Sequence, residues 1–93
     1  MLFMYVHTHP MEKCTATKMD ENAKTFSKLQ DEAKKAGIKI VGSYVAMHEH
    51  TMYLIFEASD LAPLEKCLIP LTTWGNARLI PVVSMEQTLA AVR

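Results

Sequence analysis

The four histidines of this chain fall into two pairs, His7 with His9 and His48 with His50, each at spacing i, i+2. Residues two apart on a strand face the same side, so each pair can turn both rings into one pocket. Imidazole nitrogens hold zinc at about 2.0–2.1 Å. Joined by a thiolate, they suit a borderline or soft divalent ion: zinc, nickel or copper rather than calcium or magnesium. Cys14, in the polar stretch that follows His9, is the candidate thiolate. Met11, Met47 and Met52 add soft sulfur that would matter for copper alone. The competing reading is plain: histidines are ordinary at strand ends, and four of them could simply face water. Their spacing matches no zinc-finger or metalloprotease pattern.

What must position these residues is legible in the hydrophobic periodicity. Residues 2–9 are β-rich and end at Pro10, which has no N–H to give a ladder. From about 18 to 36, Met19, Ala23, Phe26, Leu29, Ala33 and Ala36 recur at steps of three and four, the stripe of an amphipathic helix ended by Gly37. Thr17, three residues before Asp20, is a candidate cap for it. Residues 38–47 and 51–58 form a hairpin around the tip His48-Glu49-His50. Ser59 and Asp60 can cap a second helix lined by Leu61, Leu64 and Leu68, with Pro63 in its first turn and Pro70 closing it. Residues 77–84 read as a fourth strand, placed at a sheet edge by Pro81. Ser84 and Gln87 open a short terminal helix.

The order is βαββαβ with a helical tail, which predicts an α+β, ferredoxin-like sandwich: a four-stranded antiparallel sheet with two helices on one face. In that topology strands one and two run the same way with strand three between them, so both histidine pairs reach one rim of the sheet, about 10 Å apart across two strand spacings. The loop bearing Cys14 leaves from the same rim, as does the turn Thr72-Thr73-Trp74-Gly75. The predicted ligands are therefore His7, His9, His50 and Cys14, with His48 as a substitute. Cys67, at helical spacing from Leu64 and Leu68, reads as core filler. Trp74, before the last strand, reads as a packing residue that seals the barrel mouth, with stacking on a small ligand as the alternative. Glu49 reads as a solvated turn residue, and Glu57 falls at the opposite edge.

Strands one, two and three are apolar on both parities, yet the helices cover only one face. A second copy is the simplest cover for the other, which predicts a homodimer closing two sheets into a barrel. Such a barrel offers a cavity of ligand size.

Composition narrows the partners. Ten Lys+Arg balance ten Asp+Glu, so the formal net charge is zero and no basic footprint marks a nucleic-acid surface. With 93 residues, 49% of them hydrophobic, the chain is one globular domain spanning 1–93. No apolar run reaches the roughly 18 residues of a membrane span. The opening MLFMYVHTHP has neither a basic leader nor a long apolar core, so the expected location is cytoplasmic, with Cys14 and Cys67 as free thiols. No Gly-rich phosphate loop, nucleophile elbow or carboxylate pair marks an enzyme. A histidine acting as general base beside Tyr5, Tyr44 or Tyr53 is the one catalytic arrangement the sequence leaves open.

The segments GIKIVGSYVAMHEHTMYLIFEASD and WGNARLIPVVSMEQTLA resemble small domains of the dimeric α+β barrel superfamily, over roughly residues 37–90. Its members include a nickel-binding ferredoxin-like protein and antibiotic-biosynthesis-type monooxygenases. The resemblance implies the fold and dimerisation. It assigns no role to any residue of HTHPMEKC. The expected function is thus a small homodimeric protein that binds nickel, zinc or copper at a histidine-rich rim, in metal handling or sensing. The alternative is an oxygenase- or isomerase-like enzyme holding a small apolar substrate or haem in the barrel.

Overall fold

In the computed structural model four strands form one antiparallel sheet in the order β2-β3-β1-β4: β1 is Leu2–Thr8, β2 Lys39–Ala46, β3 Thr51–Glu57 and β4 Asn76–Val82. Helices α1 (Met19–Lys35), α2 (Leu61–Thr72) and α3 (Met85–Ala91) complete the chain, with single 3-10 turns at Met11–Lys13 and Met47–Glu49. The structure describes every residue except Thr15, Ala16 and Trp74, so the sealing role expected of Trp74 lies outside the described residues. The order and pairing are consistent with the ferredoxin-like sandwich, and Pro81 does sit on an edge strand.

Register explains which residues are buried. Phe3, Tyr5 and His7 of β1 pair with Phe56, Leu54 and Met52 of β3, and with Pro81, Leu79 and Ala77 of β4. This is the face the helices cover. Phe3, Tyr5, Leu54 and Phe56 are buried there against Leu29 and Ala33 of α1 and Leu64, Leu68 and Leu71 of α2. Cys67 is buried in the same core, as expected of a filler. The opposite face carries Leu2, Met4, Val6, Tyr53, Ile55 and Ile80, all half-buried within the single chain.

Strand β2 departs from strict alternation. Ile40 pairs with Phe56, but the next pair is Gly42 with Ile55, so Val41 is the extra residue of a β-bulge. The bulge inverts the alternation of β2. Val45 joins the helix-side face opposite Met52, whereas Tyr44 pairs with Tyr53 on the open face. Strict alternation would put Tyr44 on the face of Ile40, and the inserted residue reverses this.

Helix ends show where local rules held. Gly37, with φ +74°, closes α1: its N–H donates to Lys34 and that of Ile38 to the Ala33 carbonyl, the paired bonds of a Schellman motif. Asp60 caps α2 by accepting from the Leu61 N–H at 2.7 Å, and Ser84 with Gln87 forms a reciprocal capping box on α3. Two expectations fail. The residue flanking α1 is Lys18, with no side-chain cap, so Thr17 does not serve. Pro70 lies inside α2 rather than closing it. The helix survives because it has one short turn left, where the Thr72 hydroxyl donates to Leu68 and that of Thr73 to Pro70.

Candidate metal centre

The rim site is built by the β1–β3 ladder. Its last regular pair is Thr8 with Thr51, and the next residue on each side is histidine. The His9 N–H donates to the His50 carbonyl at 3.1 Å, extending the ladder by one rung. The two rings then meet edge to face with centroids 5.3 Å apart. His50 is held in the left-handed region (φ 52°, ψ 40°), a conformation uncommon for a residue with a Cβ. Thr51, buried, fixes that turn by donating its hydroxyl to the Glu49 carbonyl at 2.9 Å.

Cys14 arrives from the other side. Pro10 ends β1, the chain makes a 3-10 turn over Met11–Lys13, and the Cys14 N–H bonds back to the Met11 carbonyl. One donor atom from each of His9, Cys14 and His50 lies within 4.8 Å of the others, and all three residues are half-buried. Around a tetrahedral zinc such donors stand about 3.3–3.7 Å apart, so closure needs movements on the order of 1 Å. The Nδ1 of His50 is buried and has no hydrogen-bond partner among the described residues.

His7 stands one layer deeper. It is 1% exposed, with its ring 6.2 Å from that of Tyr5 and 5.9 Å from that of His9. A hydrogen bond joins it to the Leu71 backbone, and Gly75 packs against its ring so tightly that a Cβ there would lie 2.7 Å from Nε2. Burial, and secondarily the neighbouring His9, hold the His7 pKa below the ordinary histidine value. His9 is lowered too, by burial and then by His50. Both rings thus favour the neutral form that binds metal.

Of the five predicted site residues, then, His9, Cys14 and His50 form the group, His7 backs it, and His48 is exposed on the 3-10 turn outside it. The pairwise rule fails for His48 and His50 because neither is on a strand. The sheet spacing was also misjudged: His50 begins the approach to β3, next to β1, so one strand spacing separates it from His9 rather than two. The sequence places Gly75 in a turn at this rim and Thr51 at the start of a strand, but gives neither a role in the site. Only the register shows that they brace the histidines.

Beside the three donors, between α1 and the helix-side face of the sheet, lies a cavity of about 370 Å³. Phe26 and Leu29 of α1 and Val45 and Met52 of the sheet supply its apolar walls, and it is partly open to solvent. Tyr5 turns its hydroxyl to Thr72 at 3.3 Å.

A family model described as a domain of unknown function matches residues 1–93. The chain belongs to the DUF3303 family. No curated protein matches it. In this DUF3303 domain no helix among the described residues is long and apolar enough to cross a membrane.

Proposed function

We propose that this domain binds one divalent transition metal (zinc, nickel or copper) through His9, Cys14 and His50, and serves in metal handling or sensing. The observation that carries the reading is the convergence of two imidazoles and a thiol within 4.8 Å, from two strand ends and a separate loop. Two neutral nitrogens and a thiolate are the donors that zinc, nickel and copper prefer, and hard cations do not. The left-handed backbone of His50 supports it as well, because strain at a residue that ends in a donor cluster is the usual mark of a positioned group. His7 acts in this reading by packing His9, not as a ligand. Free thiols at Cys14 and Cys67 suit a reducing, cytoplasmic setting.

The domain acts as a homodimer. Its support is the open sheet face, where Tyr44 is 65% exposed, together with Met85 and Leu89, one turn apart and both exposed on α3. Joining two such faces would make the barrel of the superfamily that the sequence resembles.

Native mass spectrometry with elemental analysis tests the centre. One metal per chain, absent from a His9→Ala/Cys14→Ala double variant that still folds, is the expected result. A folded protein that takes up no zinc, nickel or copper at micromolar concentration overturns it.

A further inference from the structure

We infer that the metal centre is an open one, and that its remaining coordination position receives the carboxylate of a small apolar acid whose hydrocarbon chain lies in the adjoining cavity. The inference rests on the metal reading above and adds the ligand class to it.

Three observations carry it. First, His9, Cys14 and His50 supply three donors, and among the described residues no fourth histidine, cysteine or carboxylate joins the group. A divalent ion with three protein ligands keeps a position for an exogenous one. Second, the same three residues line the cavity of about 370 Å³, so the position faces that space rather than bulk water alone. Third, the walls away from the donors are mostly apolar, with Phe26, Leu29, Val45 and Met52 facing the space and Asn22 and Thr25 of α1 the polar groups among them. A ligand that satisfies both ends has one coordinating head and an apolar body.

Charge selects the head. A divalent ion held by two neutral imidazoles and one thiolate keeps a net positive charge, which a single carboxylate cancels. Glu21 of α1 also lines the cavity, but its side chain is exposed and water screens its repulsion. The size of the cavity suits a chain of several carbons and excludes nothing at the polar end. Val45 is exposed by 62% and stands at the mouth, so a larger side chain there would fill the cavity without disturbing the core.

Cobalt(II) is the probe, because its visible absorption changes when a fourth ligand does. The protein loaded with cobalt(II) is titrated with sodium octanoate and with sodium acetate. Each methylene taken from water strengthens binding about fourfold, and with the chain partly exposed the six extra methylenes of octanoate leave it about 100-fold tighter than acetate. Val45→Trp should lower octanoate affinity at least tenfold while leaving acetate binding and the cobalt spectrum unchanged. Cobalt uptake with equal affinities for the two acids overturns this inference and leaves the metal centre standing. Octanoate binding that persists undiminished in metal-free Cys14→Ala protein also overturns it, since the head would then not engage the ion. Failure to take up cobalt, zinc, nickel or copper overturns the metal centre and this inference together, and where zinc is held but cobalt is not, the same two titrations are read by competition calorimetry on the zinc-loaded protein.

Discussion

The backbone N–H of His9 donates to the carbonyl of His50 at 3.1 Å, and their rings meet edge to face at 5.3 Å. One hydrogen bond beyond the regular ladder therefore sets the distance between the two imidazoles. The left-handed backbone of His50 aims its ring, and glycine adopts that backbone without strain. His50→Gly should accordingly keep the fold, with stability within about 1 kcal/mol of the parent. Its affinity for zinc should fall more than about 100-fold, beyond what the loss of an outer partner costs a metal site. Thermal unfolding of the metal-free variant, set beside a competition titration with a zinc chelator, checks both halves. Retained zinc affinity would remove His50 from the centre.

His7 and His48 offer the opposite contrast. His7 is fully buried between Tyr5 and His9, and its loss leaves a void beside Leu71 and Gly75. His7→Ala should cost about 2–4 kcal/mol in urea unfolding of metal-free protein. His48 is exposed, so His48→Ala should lie within about 0.5 kcal/mol of the parent and leave zinc affinity unchanged. A zinc affinity lowered by His48→Ala would mean that the hairpin tip supplies a further ligand.

Much of this arrangement was legible in the sequence. Stripes such as Phe26, Leu29 and Ala33, the Ser84–Gln87 box and the edge proline Pro81 each obey a local rule, and a local rule needs no partner strand. The element order then sent His9, Cys14 and His50 to one rim. What could not be read was register. An inserted residue at Val41 swaps Val45 and Tyr44 between faces, and the Thr8–Thr51 pair decides that His50, not His48, meets His9. Pairing of strands dozens of residues apart is fixed by tertiary packing, which no short window contains. The roles of Thr51 and Gly75 were missed for the same reason: their importance lies in what they touch.

Gly75 makes the point quantitatively. An added Cβ would lie 2.5 Å from the Thr8 carbonyl oxygen and 2.7 Å from His7 Nε2. The first obstacle is backbone, so it cannot swing aside. Gly75→Ala should destabilise the protein by about 1–3 kcal/mol through overpacking. By shifting β1 at its rim end, it should also loosen zinc binding. Urea unfolding and the chelator titration measure the two effects, and an unchanged midpoint would show that the β1–β4 rim is slack.

Acid should weaken the metal-free fold. His7 and His9 both titrate below the ordinary value of about 6.5, for burial first and then for a neighbouring imidazole. Below that value the unfolded chain takes up protons that these folded rings refuse, so the unfolded state binds more protons. Stability contributed by these groups is then complete above about pH 6.5 and falls as the pH drops toward their folded values. Urea midpoints should decline between about pH 6.5 and 5, and a His7→Gln/His9→Gln variant should lose that slope. A parent midpoint that stays flat through this range would mean that both rings accept a proton without leaving the fold.

The sheet face away from α1 and α2 is open. Ile55 and Met4 pair across it, Tyr44 and Tyr53 pair beside them, and α1 and α2 pack on the other side of the sheet. Within one chain Met4, Tyr53 and Ile55 are half-buried and Tyr44 is exposed, and the proposed second copy would desolvate all four. A lysine placed among them must leave water or break the interface, whereas within the monomer it still reaches solvent. Ile55→Lys should therefore convert a dimer into a monomer in sedimentation velocity at micromolar concentration, while far-ultraviolet dichroism stays the same. Because His9, Cys14 and His50 all come from one chain, the monomer should still take up one zinc ion. A parent protein that sediments as a monomer would refute the dimer, and a monomeric variant that loses zinc would show that the centre depends on the partner.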